Sequence, residues 1–244
     1  MNDPRTFHGF REHISEERFE VMQQPIINLS DDTISHHEWL VRFEHEGSLE
    51  GLLRPAELSG AIKDLDLSML ARAVLTLNAN PEGTGIAINL SGASFETEGF
   101  ERSLMACLSA YTAAPHKLML ELTETWDLRS LDKAESILTR LQLRGHPICL
   151  DDVGAGAASI RYLRALPANW LKIDGHFVHR AMENLRERAI LKALLTLRGP
   201  IDVKFIAEGI ETQELLDFAR DMNFDAVQGY FIQKPMPLLA DSPT

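Results

Sequence analysis

The stretch Cys149-Leu150-Asp151-Asp152-Val153-Gly154-Ala155-Gly156 places two adjacent carboxylates at the end of a short apolar run and directly before glycine-rich sequence. A buried carboxylate is costly unless something compensates it, and a second carboxylate beside it makes ionisation harder still. A bound cation is the simplest compensation. The alternative is a solvent-exposed Asp-Asp turn, because Asp and Gly are common turn residues. The remaining sequence favours the first interpretation.

The 244 residues are 45% hydrophobic and 25% charged, which is typical of a globular protein with a substantial core. The net charge of −12 opposes binding to nucleic acid polymers and to anionic membranes. Cys107 and Cys149 are too few for a disulfide scaffold, and neither a signal segment nor a long apolar run is present. We therefore expect a cytoplasmic protein without a membrane partner.

Strand-like and helix-like stretches alternate along the chain. The spacing of apolar residues predicts four helices, each with one apolar face. The third is predicted to end at Gly199-Pro200, and the fourth is predicted to begin at the capping residue Thr212. The four faces are Leu67, Leu70, Ala71 and Val74; Ala134, Ile137, Leu138 and Leu141; Ile190, Ala193, Leu194 and Leu197; and Leu215, Phe218, Ala219 and Met222. The eight predicted strands are 21–29, 34–43, 86–90, 118–122, 147–151, 170–174, 203–206 and 226–230.

This alternation predicts α/β architecture, namely a closed (β/α)8 TIM-like barrel, because eight βα units at this length favour a barrel over an open sheet. The first two strands form a hairpin, so one early strand is expected to run antiparallel. Residues 1–18 are interpreted as an N-terminal lead-in segment, and residues 19–244 as a single barrel domain.

Polar residues follow or end most of these strands. In a barrel the carboxyl ends of the strands share one face, which is where active sites are built. Several converging carboxylates would repel one another, and oxygen ligands without thiolates favour Mg²⁺ or Mn²⁺. Two such ions are the usual device for displacement at phosphorus, so the pattern indicates phosphodiester hydrolysis. The residues are Glu38, Asn89, Glu121, Asp151, Asp152, Lys172, Asp174, Glu208 and Gln228.

The order of these motifs resembles that of EAL domains over residues 19–235. The resemblance implies a barrel that hydrolyses cyclic di-GMP to linear pGpG with two Mg²⁺ or Mn²⁺ ions. The matching motifs are Gln24-Pro25-Ile26, Glu38-Trp39-Leu40 with Arg42, Asn89-Leu90-Ser91, Glu121-Leu122-Thr123-Glu124, Asp151-Asp152, Lys172-Ile173-Asp174, Ala207-Glu208-Gly209-Ile210-Glu211 and Gln228-Gly229-Tyr230.

The resemblance also implies roles for individual residues, a homodimer and control by a regulatory protein partner. Asp151 would bridge the two ions, and Lys172 would contact the attacking water. The implied metal ligands are Glu38, Asn89, Glu121, Asp151, Asp152 and Glu208; the implied catalytic residues are Lys172, Glu208 and Asp152; the implied substrate-binding residues are Gln24, Leu40, Arg42 and Gln228; and the implied supporting residues are Glu124, Glu211 and Asp174.

The chain departs from the family pattern after the Asp-Asp pair. Val153, Ala155, Ala157 and Ala158 replace an aromatic, a hydroxyl, an aromatic and a hydroxyl residue, which removes packing and hydrogen bonds that would order the loop. An inactive or weakly active module that acts as a cyclic di-GMP receptor or a protein-interaction domain is therefore the alternative. Trp39 replaces the small middle residue of the Glu-Ala-Leu motif and is expected to pack outward against a helix.

Overall fold

The computed structural model describes residues 10, 14, 16, 18–43, 49–123, 131–154 and 159–238. Within them, strands alternate with helices from the third strand onward. The strands are β1 (Phe19–Asn28), β2 (Ile34–Phe43), β3 (Gly85–Ser91), β4 (Leu118–Thr123), β5 (Ile148–Val153), β6 (Trp170–Ile173), β7 (Lys204–Ala207), β8 (Ala226–Val227) and β9 (Met236–Pro237). The helices are α1 (Leu49–Ser59), α2 (Ile62–Ala79), α3 (Gly92–Glu96), α4 (Phe100–Ser109), α5 (Leu131–Leu143), α6 (Ser159–Ala165), α7 (Gly175–Glu183), α8 (Leu185–Leu195), α9 (Arg198–Ile201) and α10 (Gln213–Asp221).

The sheet closes into an eight-stranded barrel. Strands β2 to β8 are successive parallel neighbours, and β1 closes the ring by pairing antiparallel with both β2 and β8. The predicted α/β barrel with one early antiparallel strand is confirmed. The short β9 adds to β1 through Met22–Pro237 and Gln23–Met236 pairs, and the sequence had not indicated it.

The barrel interior is built in layers because side chains alternate between the two faces of each strand. One layer is a small apolar cluster separate from the large core that lies between the strands and the helices. Two residues further along each parallel strand, the next inward position is polar. The apolar layer contains Ile26, Ala87, Met119, Cys149, Trp170, Ile206 and Ala226.

Trp39 lies on the outer face of β2 and is 3% exposed in the large core, as expected from its position next to the inward-facing Glu38. Phe10 and Ile14 are buried in the same core, and the Phe10 ring lies 5.9 Å from the Phe43 ring. Residues within the predicted lead-in segment therefore contact the barrel. The boundary at residue 18 stays a prediction.

The predicted face of α8 is wrong in part, because Leu194 and Leu197 pack against the large core but Ile190 and Ala193 do not. The helix buries Leu191 and Leu195, whereas Ile190 is 51% exposed and Ala193 is exposed. Each helical step turns the side chain by about 100°, so a pattern shifted by one residue selects a neighbouring face. The stop predicted at residues 199–200 is also wrong, because both belong to α9, whose first turn tolerates Pro.

The predicted cap of the last helix is confirmed, since the Thr212 side chain accepts a hydrogen bond from the Leu215 backbone N–H. The eighth strand is shorter than predicted and ends at Val227. No helix among the described residues combines the length and apolar character needed to cross a bilayer.

His36 is buried near the amino end of β2, beside the first residue of β3. Its Nε2 lies 3.0 Å from the His116 carbonyl oxygen, which only accepts, so Nε2 carries the proton. Its Nδ1 accepts from the Ser35 hydroxyl at 2.8 Å. Burial lowers the pKa of His36 to about 4. The folded chain therefore binds a proton here less readily than the unfolded chain does.

We expect acid to destabilise the protein partly through His36. Its contribution is present above pH 6.5 and is lost as the pH falls toward 4, which amounts to about 3 kcal/mol. Urea unfolding from pH 8 to pH 4 should therefore show a shallower acid loss for His36→Asn than for the wild type. The exposed His176→Asn variant is the control and should keep the wild-type slope. Equal slopes in all three proteins would contradict this assignment.

Candidate active site

The polar layer forms directly above the apolar layer, at the carboxyl ends of the parallel strands. From β3 onward, the position two residues beyond each member of the apolar layer carries a predicted strand-end group: Asn89, Glu121, Asp151, Lys172, Glu208 or Gln228. Glu38 follows His36 on β2, and Gln24 joins the layer from the antiparallel β1. The layer contains Gln24, Glu38, Asn89, Glu121, Asp151, Lys172, Glu208 and Gln228. Their convergence confirms the expectation that the strand ends meet on one face.

Lys172 lies at the centre of this layer. Its side chain is 1% exposed, and its Nζ contacts carboxylates from four different strands or strand ends. The ammonium thus neutralises part of a buried acidic cluster that would otherwise repel itself. The distances are 2.9 Å to Glu208 Oε1, 3.0 Å to Glu121 Oε2, 3.2 Å to Glu38 Oε2 and 3.2 Å to Asp151 Oδ1.

Two amide side chains orient Glu38. Asn89 Nδ2 donates to Glu38 Oε1 at 2.8 Å, and Gln228 Nε2 donates to Glu38 Oε2 at 2.7 Å. Gln228 Nε2 also lies 3.4 Å from Gln24 Oε1, and Gln24 Nε2 donates to the Gln233 carbonyl oxygen at 2.9 Å. The amide donors favour the ionised form of Glu38 and fix the direction of its two oxygens.

The pKa values of the layer follow from burial and the single ammonium. Burial raises the pKa of Glu121 and Asp151, and it raises that of Glu208 to about 8, while Lys172 offsets part of each effect. Burial also opposes ionisation of Glu38, but Lys172 and the amide donors outweigh it and lower its pKa. Burial alone would lower the pKa of Lys172, but the surrounding carboxylates raise it well above its usual range. The Lys172 ammonium therefore stays protonated, but its single positive charge does not balance the negative charge of the surrounding carboxylates.

The oxygen groups of the layer fit divalent metal ions. Asp151, Asp152 and Glu208 each offer one oxygen, and these three atoms lie within 4.8 Å of one another. Glu121 Oε1 and Asn89 Oδ1 are buried and find no hydrogen-bond partner among the described residues. Unsatisfied buried oxygens beside surplus negative charge are the ligands that Mg²⁺ and Mn²⁺ prefer.

The backbone after Asp151 turns sharply to bring Asp152 toward the site. Asp152 and Gly154 both have positive φ angles, +54° and +103°. A Cβ makes such angles unfavourable, and Gly154 avoids this penalty because it has no Cβ. A Cβ on Gly154 would lie 2.4 Å from Phe177 Cδ1, so only glycine fits against that ring. The altered positions Ala155, Ala157 and Ala158 lie outside the described residues. Val153 is buried in the large core.

A cavity of about 360 Å³ opens above the polar layer. Gln24, Leu40 and Gln228, three of the predicted substrate-binding residues, line it together with the exposed Tyr230. Gly229 allows the backbone of this wall to pass close to Ile210, because a Cβ there would lie 2.1 Å from the Ile210 carbonyl oxygen. The cavity thus has an acidic floor and amide and aromatic walls.

The other predicted residues are less central. Arg42 is exposed, donates to the Val41 carbonyl oxygen at 2.9 Å and lines a neighbouring cavity of about 270 Å³. Asp174 caps α7 by accepting from the Phe177 N–H at 2.9 Å. Glu211 is exposed and lines the first cavity. Glu124 lies outside the described residues, and all these roles stay predictions.

Sequence reasoning missed two buried acids beside the site. Glu57 on α1 and Asp66 on α2 are 7% and 5% exposed and line the cavity that Arg42 also lines. A signal was present, since Asp66 lies one turn after Ile62 and one turn before Leu70 on the buried face of α2. An acid inside an apolar helical face is unusual and warrants attention.

The EAL domain family model matches residues 9–235 of this chain. Two curated relatives from Pseudomonas aeruginosa are cyclic di-GMP phosphodiesterase NbdA, 32% identical over 240 residues, and bifunctional diguanylate cyclase/cyclic di-GMP phosphodiesterase MucR, 30% identical over 240 residues. Each match covers 94% of this chain but only 30% and 35% of the respective relative. The chain therefore spans about a third of the length of these relatives.

A solved structure of the PaMucR phosphodiesterase in complex with c-di-GMP is similar to the whole barrel. The superposition has a TM-score of 0.82 at 29% sequence identity and covers 96% of this chain and 98% of the other. The barrel with its antiparallel first strand is thus shared with a protein whose structure contains the dinucleotide.

We expect Lys172→Met to destabilise the metal-free protein strongly. Removing one partner from a buried ionic cluster costs about 3–5 kcal/mol, because the carboxylates keep their charge without compensation. The loss should grow as the pH rises from 6 to 8.5, because Lys172 lowers the pKa of Glu121, Asp151 and Glu208, so that without it folding raises these pKa values further and ionising the acids costs more stability. Urea unfolding in the presence of a chelator measures both effects.

The matched control is Lys192→Met on the exposed face of α8, which should change the unfolding free energy by less than about 0.5 kcal/mol. A Lys172→Met variant as stable as this control would show that the ammonium does not hold the layer together.

Proposed function

The chain belongs to the EAL domain family, and we propose that it is a metal-dependent phosphodiesterase that hydrolyses cyclic di-GMP to linear pGpG. The observation that carries the proposal is the layer of buried carboxylates around Lys172. Such a layer is expensive to build, and apolar side chains would fill the same space at lower cost. Retaining it at the mouth of a barrel favours catalysis or binding over a purely structural role.

The charge of the layer together with the adjacent Asp152 supports two divalent cations. The four carboxylates of the layer, the carboxylate of Asp152 and one ammonium sum to a formal charge of −4, which two divalent ions match. Glu38, Asn89, Glu121 and Asp151 would hold one ion, and Asp151, Asp152 and Glu208 would hold the other. When bound, two such ions activate a water and stabilise the oxygens of an in-line displacement at phosphorus.

The chain's own groups would orient the reactants. The raised pKa of Lys172 favours a protonated Nζ, which donates hydrogen bonds and so directs an attacking water. Gln24 and Gln228 offer amide groups to the ligand, Leu40 offers apolar contact, and Arg42 offers a planar fork for phosphate oxygens. We further propose a homodimer in the cytoplasm, with a protein partner that regulates it.

A second candidate function is a cyclic di-GMP receptor or a protein-interaction domain that signals without turnover. The observation that favours it is the loss of hydroxyl and aromatic side chains at Val153, Ala155, Ala157 and Ala158. A loop with fewer side-chain contacts is harder to order, and misplacing an active-site loop slows chemistry more than it weakens binding.

Purified protein with Mn²⁺ or Mg²⁺ at alkaline pH should convert cyclic di-GMP to pGpG, measured by chromatography of the products. Glu38→Gln keeps the size of the side chain but removes its charge, so turnover should fall by about a hundredfold or more. Glu135→Gln on the exposed face of α5 is the control and should retain full turnover. Folded wild-type protein that forms no pGpG would contradict the phosphodiesterase proposal.

Calorimetry on the same proteins separates the two candidate functions. With Ca²⁺ in place of the activating ions, we expect the wild type to bind cyclic di-GMP, because Gln24, Leu40, Gln228 and Tyr230 offer amide, apolar and aromatic contacts that do not depend on the identity of the ion. Binding of cyclic di-GMP, with no turnover in the presence of either Mn²⁺ or Mg²⁺, would establish the receptor function. Absence of both would leave only a protein-interaction role.

A further inference from the structure

A second acidic cluster lies outside the barrel, immediately beside the candidate active site. Asp66 Oδ2 accepts from the Ser91 backbone N–H at 2.9 Å and from Ser94 Oγ at 2.6 Å. Glu57 Oε1 accepts from Ser91 Oγ at 3.0 Å. All four residues are at most 7% exposed, so two acids and two hydroxyls form a buried network joining α1, α2 and the end of β3.

This network supports the segment of β3 that carries Asn89. Strand β2 pairs with β3 only as far as Trp39–Ile88, whereas β4 pairs with β3 through Ser91–Thr123. Beyond Ile88, the β2 edge of β3 therefore has no strand partner in the described sheet. The Asp66 carboxylate accepts a backbone N–H of this segment, as a neighbouring strand otherwise would.

Both acids are costly to bury, so their retention calls for a role. Burial together with the nearby charge of Glu57 raises the pKa of Asp66 to about 7, although the two donors partly offset the effect. Arg54 Nη1 lies 3.6 Å from Glu57 Oε2 and is half exposed, so this ion pair is partly screened by solvent. An apolar core at this position would be cheaper but would leave the Ser91 N–H buried without an acceptor.

We infer that Asp66 and Glu57 are positioning residues, which fix the end of β3 and so hold Asn89 in the geometry that a metal ion and Glu38 require. The inference rests on the proposed metal-dependent function. Asn89 Nδ2 already donates to Glu38, which leaves its unsatisfied Oδ1 as the metal-facing atom. A shift of the strand end would move this oxygen while leaving the carboxylates of the other strands in place.

The test measures Mn²⁺ binding by electron paramagnetic resonance and the thermal midpoint of the metal-free protein. Asp66→Ala should weaken Mn²⁺ binding by about tenfold, the lower end of losses from outer-shell partners of metal ligands. Asp66→Asn places an amide oxygen where Oδ2 lies, so it should restore binding to near the wild-type affinity. Leu70→Ala on the same helix is the control, because it removes buried packing and lowers the midpoint without touching β3 through a polar contact.

Each outcome decides the inference. Weaker Mn²⁺ binding in Asp66→Ala, with recovery in Asp66→Asn and unchanged binding in Leu70→Ala, supports positioning. If Asp66→Ala binds Mn²⁺ as Leu70→Ala does, the positioning role is wrong while the proposed function stands. If the wild type binds no Mn²⁺, both proposals fail. Should Asp66→Ala not fold, Glu57→Ala replaces it, since it removes the acceptor of Ser91 Oγ, with Glu57→Gln as the variant expected to recover Mn²⁺ binding; unchanged Mn²⁺ binding in Glu57→Ala would show that the positioning role is wrong.

Discussion

The contact of one ammonium with four carboxylates is the constraint on which the rest of the site depends. Lys172 Nζ reaches three acids within β2, β4 and β5 and a fourth directly after β7, so these strands must converge around the ammonium. An ammonium is a compact point charge that serves partners in several directions, whereas a planar guanidinium would prefer one or two. Three N–H bonds are shared among four carboxylates, and the acids therefore keep an excess of negative charge.

Much of this arrangement could be predicted, because the alternation of side chains along a strand is a rule of backbone geometry. Cys149 and Asp151 face the same side of β5 because they are two residues apart, and the same holds for Met119 and Glu121 on β4. Barrel closure then brings the strand ends together. The location of the site could thus be predicted from the alternation of side chains along each strand and from the order of the strands, without knowledge of any contact.

Other features depended on information that a local pattern does not contain. The spacing of apolar residues in α8 fits two adjacent faces, and only packing against the barrel selects the face of Leu191 and Leu195 over that of Ile190. The role of Asp66 depends on where β2 stops pairing with β3, which is a property of two strands and a helix together. The central position of Lys172 likewise arises from four strands at once.

The closure of the barrel by β1 also has a mechanical consequence. One edge of β1 is bonded to β2, and the other edge is bonded to β8 and to β9, with a further bond from the Leu238 N–H to the Val21 carbonyl oxygen. Tension on the segment that follows β8 is therefore carried as shear along β1. Because Gln24 bonds that segment at Gln233 and also contacts Gln228, such a load would reach the acidic layer through two amide groups. A displacement of the chain after β8 would thus be transmitted to the most highly charged part of the barrel.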